Sequence, residues 1–370
     1  MRVMKKITKM AFALHSWLGM VTGIFVLLLG LSGSALVFKD ELDHAVNAEL
    51  LTVKPAGEKL PLDKLYRTIC QRRPNLAGIA WLNPDAPADR AYEFRLYQND
   101  GKLSTYDLGI MSIDPYNAKV LRQGNLKDLT TGILHWLVQF HWSFQLGIPG
   151  LLLATILGLT MLLSTATGLI IYRKYVWKVL LFRVKFKWRD RWTIWSALHR
   201  IVGVWAMVFN IILFFTGFWM NMFSMQPSYW AKQTQKLPEN LMAVQSIDSM
   251  LSTAKQAFPE LLIKNVYLPT QPGKSFRVSG VVKDQLPIYS HGNTVSVDPQ
   301  NGKVIDVERL AEQPWGGRIS ATVFPLHTGS FGNVIVKGFY VIIGCTPGLL
   351  CVTGAILWWR KRRRRRYVLS

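Results

Sequence analysis

Leu14-His15-Ser16-Trp17-Leu18-Gly19 opens the stretch that decides the fold. Residues 14–38 read LHSWLGMVTGIFVLLLGLSGSALVF, and from Trp17 to Phe38 there are 22 residues without a charge. A bilayer core of ~30 Å takes roughly 20 residues of helix to cross. A helix meets all its backbone hydrogen bonds internally, which lipid requires. Three more uncharged runs follow, at 146–172, 201–223 and 338–359, so the sequence predicts four transmembrane helices. The first run is long for a signal peptide. No small-residue cleavage pattern separates it from Lys39, Asp40 and Glu41, so it reads as a retained span.

The charge of +22 could suggest nucleic-acid binding, but its distribution argues against it. Residues 1–9, 173–191 and 360–370 together hold 19 of the 44 basic residues and one of the 22 acids. Short basic segments beside spans stay in the cytoplasm, and the run Arg360–Arg366 also suits anionic lipid. The expected organisation is an N-terminus and first span (1–38), an outside domain (39–145), a second span (146–172) and a basic inside loop (173–195). A third span (196–223), a second outside domain (224–333), a fourth span (334–359) and a basic inside tail (360–370) complete it. Nucleic acid is not an expected partner. The three cysteines, Cys70, Cys345 and Cys351, form no CxxC pattern and read as structural.

The chain repeats itself. Leu198-His199-Arg200-Ile201-Val202-Gly203 matches the opening hexapeptide. Gly33 follows His15 by 18 residues, as Gly217 follows His199. His141 precedes Gly168 by 27 residues, as His327 precedes Gly354, and both of these glycines follow a threonine, Thr167 or Thr353. Between the spans, Asp114-Pro115-Tyr116-Asn117 matches Asp298-Pro299-Gln300-Asn301, which is turn chemistry between strands. Alternating segments precede both turns, and helical segments lie near 61–72 and 246–258. The expected fold is membrane α-helical: four spans in two parallel repeats related by a pseudo-two-fold axis along the membrane normal, with two small extracytoplasmic α+β domains.

His15…Gly19, the Asp-Pro hairpins and the ending His327…Thr353-Gly354…Trp358-Trp359-Arg360 resemble the PepSY-associated transmembrane family, over nearly the whole chain. That family includes iron-regulated inner-membrane proteins and di-haem ferric-siderophore reductases. The resemblance therefore implies PepSY-like outside domains, an iron-uptake setting in the bacterial inner membrane and a ferric siderophore as substrate.

Four of the seven histidines occupy repeat-equivalent helix ends. His15 and His199 mark the inner entry of spans one and three; His141 and His327 mark the outer entry of spans two and four. A two-fold axis would pair His15 with His199 and His141 with His327 across the bundle. Two facing imidazoles suit the axial positions of a haem iron. A bare metal ion usually takes three or four protein ligands, and no acid lies beside either pair in sequence. Gly19 and Gly203, each one turn from a histidine, are candidates to let a flat ring approach; the other reading is tight helix packing. His135 competes with His141. Six residues of helix turn through about 240°, so only one of them can face the axis; the other can contact a haem propionate. His44 reads as solvent-facing, and His291 as a strand residue opposite Asp107.

These positions place two haems ~25 Å apart along the membrane normal, with Trp17, Trp205, Phe209, Phe214, Phe215 and Phe218 available to pack between them. The two histidine pairs give an expected count of two haems per chain, of type b, because no Cys-x-x-Cys-His attachment motif exists. They would carry electrons outward. No nucleotide fingerprint is present, so a separate cytoplasmic donor or membrane quinol must supply the electrons. Arg183, Lys185, Lys187 and Arg189 are available to dock a protein donor. The alternatives are a non-enzymatic protein whose outside domains bind a peptide or envelope partner, and a transporter of iron or siderophore.

Overall fold

In a computed structural model, residues 2–97, 109–184, 191–232 and 238–369 are described. The helices in chain order are α1 (Arg2–Leu36), α2 (Lys39–Val46), α3 (Ala48–Leu51), α4 (Leu62–Arg72), α5 (Ile133–Ser143), α6 (Ile148–Tyr172) and α7 (Val176–Leu180). They continue with α8 (Arg191–Trp205), α9 (Met207–Asn221), α10 (Pro227–Lys232), α11 (Ile247–Ala257), α12 (Trp315–Thr328) and α13 (Val334–Leu369). Two compact units result. One comprises Met1–Val37, His141–Ser224 and Leu326–Ser370; the other comprises Phe38–Phe140 and Met225–Pro325. The division falls inside α5 and α12.

The helical unit contains four helices long and apolar enough to cross a membrane, within Val3–Leu36, Ile148–Tyr172, Met207–Met225 and Val334–Arg363. Its polarity is inverted relative to a water-soluble core. On α1 the exposed stripe is Val21, Ile24, Phe25, Leu28 and Leu31, at helical spacing, while Thr22, Ser32 and Ser34 are buried. Lipid tails are as apolar as leucine, so nothing drives leucines inward, and close packing and hydroxyl bonds hold the helices together instead. A Cβ on Gly30 would lie 2.7 Å from the Gly344 carbonyl oxygen, and one on Gly348 would lie 2.7 Å from Leu27 Cδ1. Small residues thus bring α1 and α13 together. Pro347 within α13 supplies no amide for the Ile343 carbonyl; the Thr346 hydroxyl donates to that oxygen at 2.7 Å instead.

The sequence predicts span two from 146 and span three from 196. α6 begins at Ile148, after Gly147 at φ 64°. Span three is divided at Ala206 between α8 and α9. His141 lies not on the spanning helix but on α5, a separate helix before it.

In the other unit, all eight described strands form one antiparallel sheet, in the order β4-β3-β2-β1-β5-β6-β7-β8. Strands β1 (Gly78–Trp81), β2 (Tyr92–Tyr97), β3 (Ile110–Ile113) and β4 (Val120–Gly124) form one meander; β5 (Leu262–Leu268), β6 (Phe276–Val281), β7 (Asn293–Val297) and β8 (Val304–Glu308) form the other. The sequence places these strands in two separate domains, at 39–145 and 224–333. The structure corrects that to a single sheet, because β1 and β5 pair through Ile79–Leu268, Ala80–Tyr267 and Trp81–Val266. The pairing removes two edges that would otherwise expose unpaired backbone groups.

α4 and α11 share one core with a face of the sheet, built from Leu65, Tyr66 and Ile69 of α4, Met250 of α11, and Phe94, Val266 and Phe276 of the strands. The two helices cap each other. The Asp248 carboxylate accepts from the amides of Leu62 and Asp63, both at 2.9 Å, and Asp63 accepts from the amide of Ile247 at 3.2 Å. This exchange satisfies helix N-termini that have no partner within their own helix. The two Asp-Pro turns are built alike. Asp114 accepts from the Tyr116 amide and the Asn117 side chain, and Asp298 from the Gln300 amide and the Asn301 side chain.

Candidate functional site

His15 projects from α1 towards α6. Its Nδ1 lies 2.9 Å from the Ser164 carbonyl oxygen, 3.2 Å from Ser164 Oγ and 3.4 Å from Thr167 Oγ1. The ring rests on Gly168, where an added Cβ would lie 3.3 Å from His15 Cε1. His199 on α8 meets α13 in the same manner: Nδ1 is 2.8 Å from Thr353 Oγ1, and a Cβ on Gly354 would lie 3.4 Å from Cε1. The two rings face each other with centroids 6.1 Å apart and planes at 80°.

A second pair repeats the arrangement. His141 on α5 docks against α1, with Nδ1 3.0 Å from Ser32 Oγ; a Cβ on Gly33 would lie 2.8 Å from its Cε1. His327 on α12 docks against α9, with Nδ1 2.9 Å from Thr216 Oγ1; a Cβ on Gly217 would lie 3.2 Å from its Cε1. Their centroids are also 6.1 Å apart, with planes at 47°. His15 and Gly33 are 18 residues apart on the uninterrupted α1, so ~27 Å of helix separates the two pairs.

Each of the four histidines thus sits on a hydroxyl residue followed by glycine, on another helix: Thr167-Gly168, Thr353-Gly354, Ser32-Gly33 and Thr216-Gly217. The recurrent spacings of 18 and 27 residues link a histidine to the seat that its own helix or segment offers to another histidine. Those spacings are visible in the sequence, but their purpose is not. The sequence points to Gly19 and Gly203 and does not reveal the seats. A Cβ on Gly19 would meet nothing within 4 Å, and one on Gly203 would meet only Leu350 Cδ2 at 3.6 Å. Among the described residues, no close packing requires either glycine.

Two imidazoles that ligate one metal ion from opposite sides, each at about 2 Å, hold their centroids roughly 6 Å apart. Both pairs have that spacing. Among the described residues no cluster of three or more His, Cys, Asp or Glu forms a metal-binding group. The donor set therefore fits a metal that brings its own equatorial ligands better than a bare ion.

His135 belongs to a different environment. It lies six residues before His141 on α5, in the sheet-containing unit, with Nδ1 3.7 Å from an Asp43 carboxylate oxygen. Asp43 is held by Arg122 at 2.9 and 3.1 Å and by Asn47 at 2.7 Å, and Arg122 also reaches Glu93 at 3.3 Å. Arg122 and Asp43 are 4% and 3% exposed. Burial, then the positive charges of Lys39, Arg122 and Arg95, pushes the His135 pKa down to about 2, so the ring is neutral and its contact with Asp43 is not an ion pair.

Trp17 is 69% exposed, and Trp205 and Phe215 are exposed as well, so these three line the outside of the bundle rather than filling the space between the pairs. Phe214 and Phe218 pack on Gly158. His291 lies in the loop before β7, with Nδ1 3.0 Å from Ser290 Oγ; Asp107, its expected neighbour, lies outside the described residues. So do Lys185, Lys187 and Arg189 of the basic loop.

Compared with known proteins, residues 12–361 match the family described as the PepSY-associated TM region. No curated protein matches the chain.

Proposed function

The chain belongs to the PepSY-associated transmembrane family, and from that premise we propose that it is a haem-b electron-transfer protein of the bacterial inner membrane, reducing a ferric siderophore outside the cytoplasm. The observation that carries this reading is the pair of facing imidazole sites, each with centroids 6.1 Å apart, at two levels of one helix bundle. His15 with His199 would hold one haem, and His141 with His327 the other. Haem b held by these imidazoles would supply one-electron chemistry. Gly19 and Gly203 leave room beside the histidines for a flat ring.

The basic segments at both ends and at 173–191 support a topology with both termini in the cytoplasm and the sheet-containing unit outside. Electrons would then enter at the His15–His199 level, from a separate reductase or a membrane quinol, and leave at the His141–His327 level. One electron per ferric ion gives ferrous iron, which the hard oxygen donors of a siderophore hold less well, so the iron is released.

One observation favours a second reading, in which the sheet-containing unit binds an extended peptide. β8 is an edge strand with Val304, Ile305, Asp306 and Glu308 exposed, and edge strands accept added strands. The deciding experiment is an absorption spectrum of the detergent-purified protein, oxidised and dithionite-reduced, with a pyridine haemochrome count. The reductase reading requires about two haems b per chain, loss of one in His199→Ala or His327→Ala, and re-oxidation of the reduced protein by a ferric siderophore. Protein made with ample haem that shows no Soret band would leave peptide binding as the function.

A further inference from the structure

We propose that Ser32, Thr216 and Thr353 are positioning residues that decide which ring nitrogen of His141, His327 and His199 faces the shared axis. A hydroxyl has one proton to donate. In each of these residues a carbonyl four positions earlier on the same helix is placed to take it: Leu28 at 2.8 Å from Ser32 Oγ, Ile212 at 2.6 Å from Thr216 Oγ1, and Leu349 at 2.9 Å from Thr353 Oγ1. With its proton committed to the backbone, the hydroxyl oxygen acts towards the histidine only as an acceptor. The neighbouring Nδ1 must then carry the hydrogen, which leaves the Nε2 lone pair as the free donor of a neutral ring. The glycine after each hydroxyl lets the ring lie against the helix.

At the fourth seat a carbonyl takes the place of the hydroxyl. His15 Nδ1 is closest to the Ser164 carbonyl, at 2.9 Å, with Ser164 Oγ at 3.2 Å and Thr167 Oγ1 at 3.4 Å. The result is the same tautomer by a different acceptor. All four Nε2 atoms are then the ring nitrogens left free to act as ligands.

The consequence for redox chemistry rests on the haem reading above. An acceptor on Nδ1–H makes the imidazole a stronger base and so favours ferric over ferrous iron. Removing the acceptor raises the midpoint potential of the haem that the histidine serves. The full-length protein and its Thr216→Val, Thr353→Val, Thr216→Ser and Thr353→Ser variants are purified with haem and titrated. Thr353→Val is expected to raise one midpoint potential and Thr216→Val the other, each without loss of haem, while both serine variants keep wild-type values. Two valine variants with wild-type potentials and full haem content would overturn the proposal.

Nitrogen-15 NMR of histidine-labelled wild-type protein, dithionite-reduced or haem-free, supplies a reading that needs no variant. The expected spectrum shows protonated Nδ1 at His141, His199 and His327; a deprotonated Nδ1 at any of them would overturn the proposal even if the variants fail to fold. A wild-type protein that binds no haem refutes the haem reading alone, because the NMR tautomer is still measured.

Discussion

Gly33→Ala is the sharpest perturbation the structure offers. The added methyl would lie 2.8 Å from His141 Cε1, 3.4 Å from Nδ1 and 3.5 Å from Nε2. Carbon–carbon contacts settle near about 3.5–4.0 Å, so the ring must retreat by about 1 Å and stretch the 3.0 Å bond to Ser32. Overpacking of this kind costs about 1–3 kcal/mol, or about a 5- to 150-fold loss of occupancy at a site that depends on the ring. The helix itself gains about 1 kcal/mol from the exchange of glycine for alanine, so the protein is expected to remain folded. Gly354→Ala provides the contrast, since its methyl would stand 3.4 Å from His199 Cε1 and the ring need give only a few tenths of an ångström. The assay is haem b per chain, with the electron paramagnetic resonance of the ferric state to distinguish the two sites. On the proposed haem reading, Gly33→Ala is expected to lose most of one haem and keep the other, while Gly354→Ala keeps both. If Gly33→Ala retains both haems with unchanged spectra, or Gly354→Ala is the more damaging, the reasoning from the seats is wrong.

The buried pair of Arg122 and Asp43 gives a second prediction: Asp43→Ala removes the nearer carboxylate and leaves the buried guanidinium the 3.3 Å contact to Glu93, lowering unfolding stability by about 3 kcal/mol, measured by denaturant titration. His135 gives a third. Its folded pKa of about 2 lies below the ordinary histidine value of about 6.5, so the unfolded chain binds the extra proton between those limits. The associated stability is complete above about pH 6.5 and falls by roughly 1.4 kcal/mol per unit as pH drops through that window. His135→Gln is expected to flatten the decline between pH 6.5 and 5; an unchanged slope would mean that His135 is not buried as a neutral ring.

Sequence alone fixes much of this protein because the relevant signals are local. Four uncharged runs of 22 to 27 residues suffice to predict four helices that can cross a membrane, since each helix satisfies its own backbone. The Asp-Pro turns are equally local, and the matching histidine spacings along the sequence already suggest His15 with His199 and His141 with His327. What the sequence leaves open is which surface each element meets. Hydroxyl and histidine in the seats lie 109 to 154 positions apart, so the recurrent glycines show their spacing but not their partners. Gly19, one turn from His15, is the candidate the sequence suggests for a close contact, yet Gly168 contacts His15 and Gly33 contacts His141. The single eight-stranded sheet depends on pairing between β1 and β5, whose bonding edges carry no pattern in side-chain chemistry. The outward orientation of Trp17 likewise depends on which side of α1 the other helices occupy. Hydropathy and turn chemistry act over a few residues, whereas seats, sheet edges and helix faces are decided only when distant segments compete for the same surface.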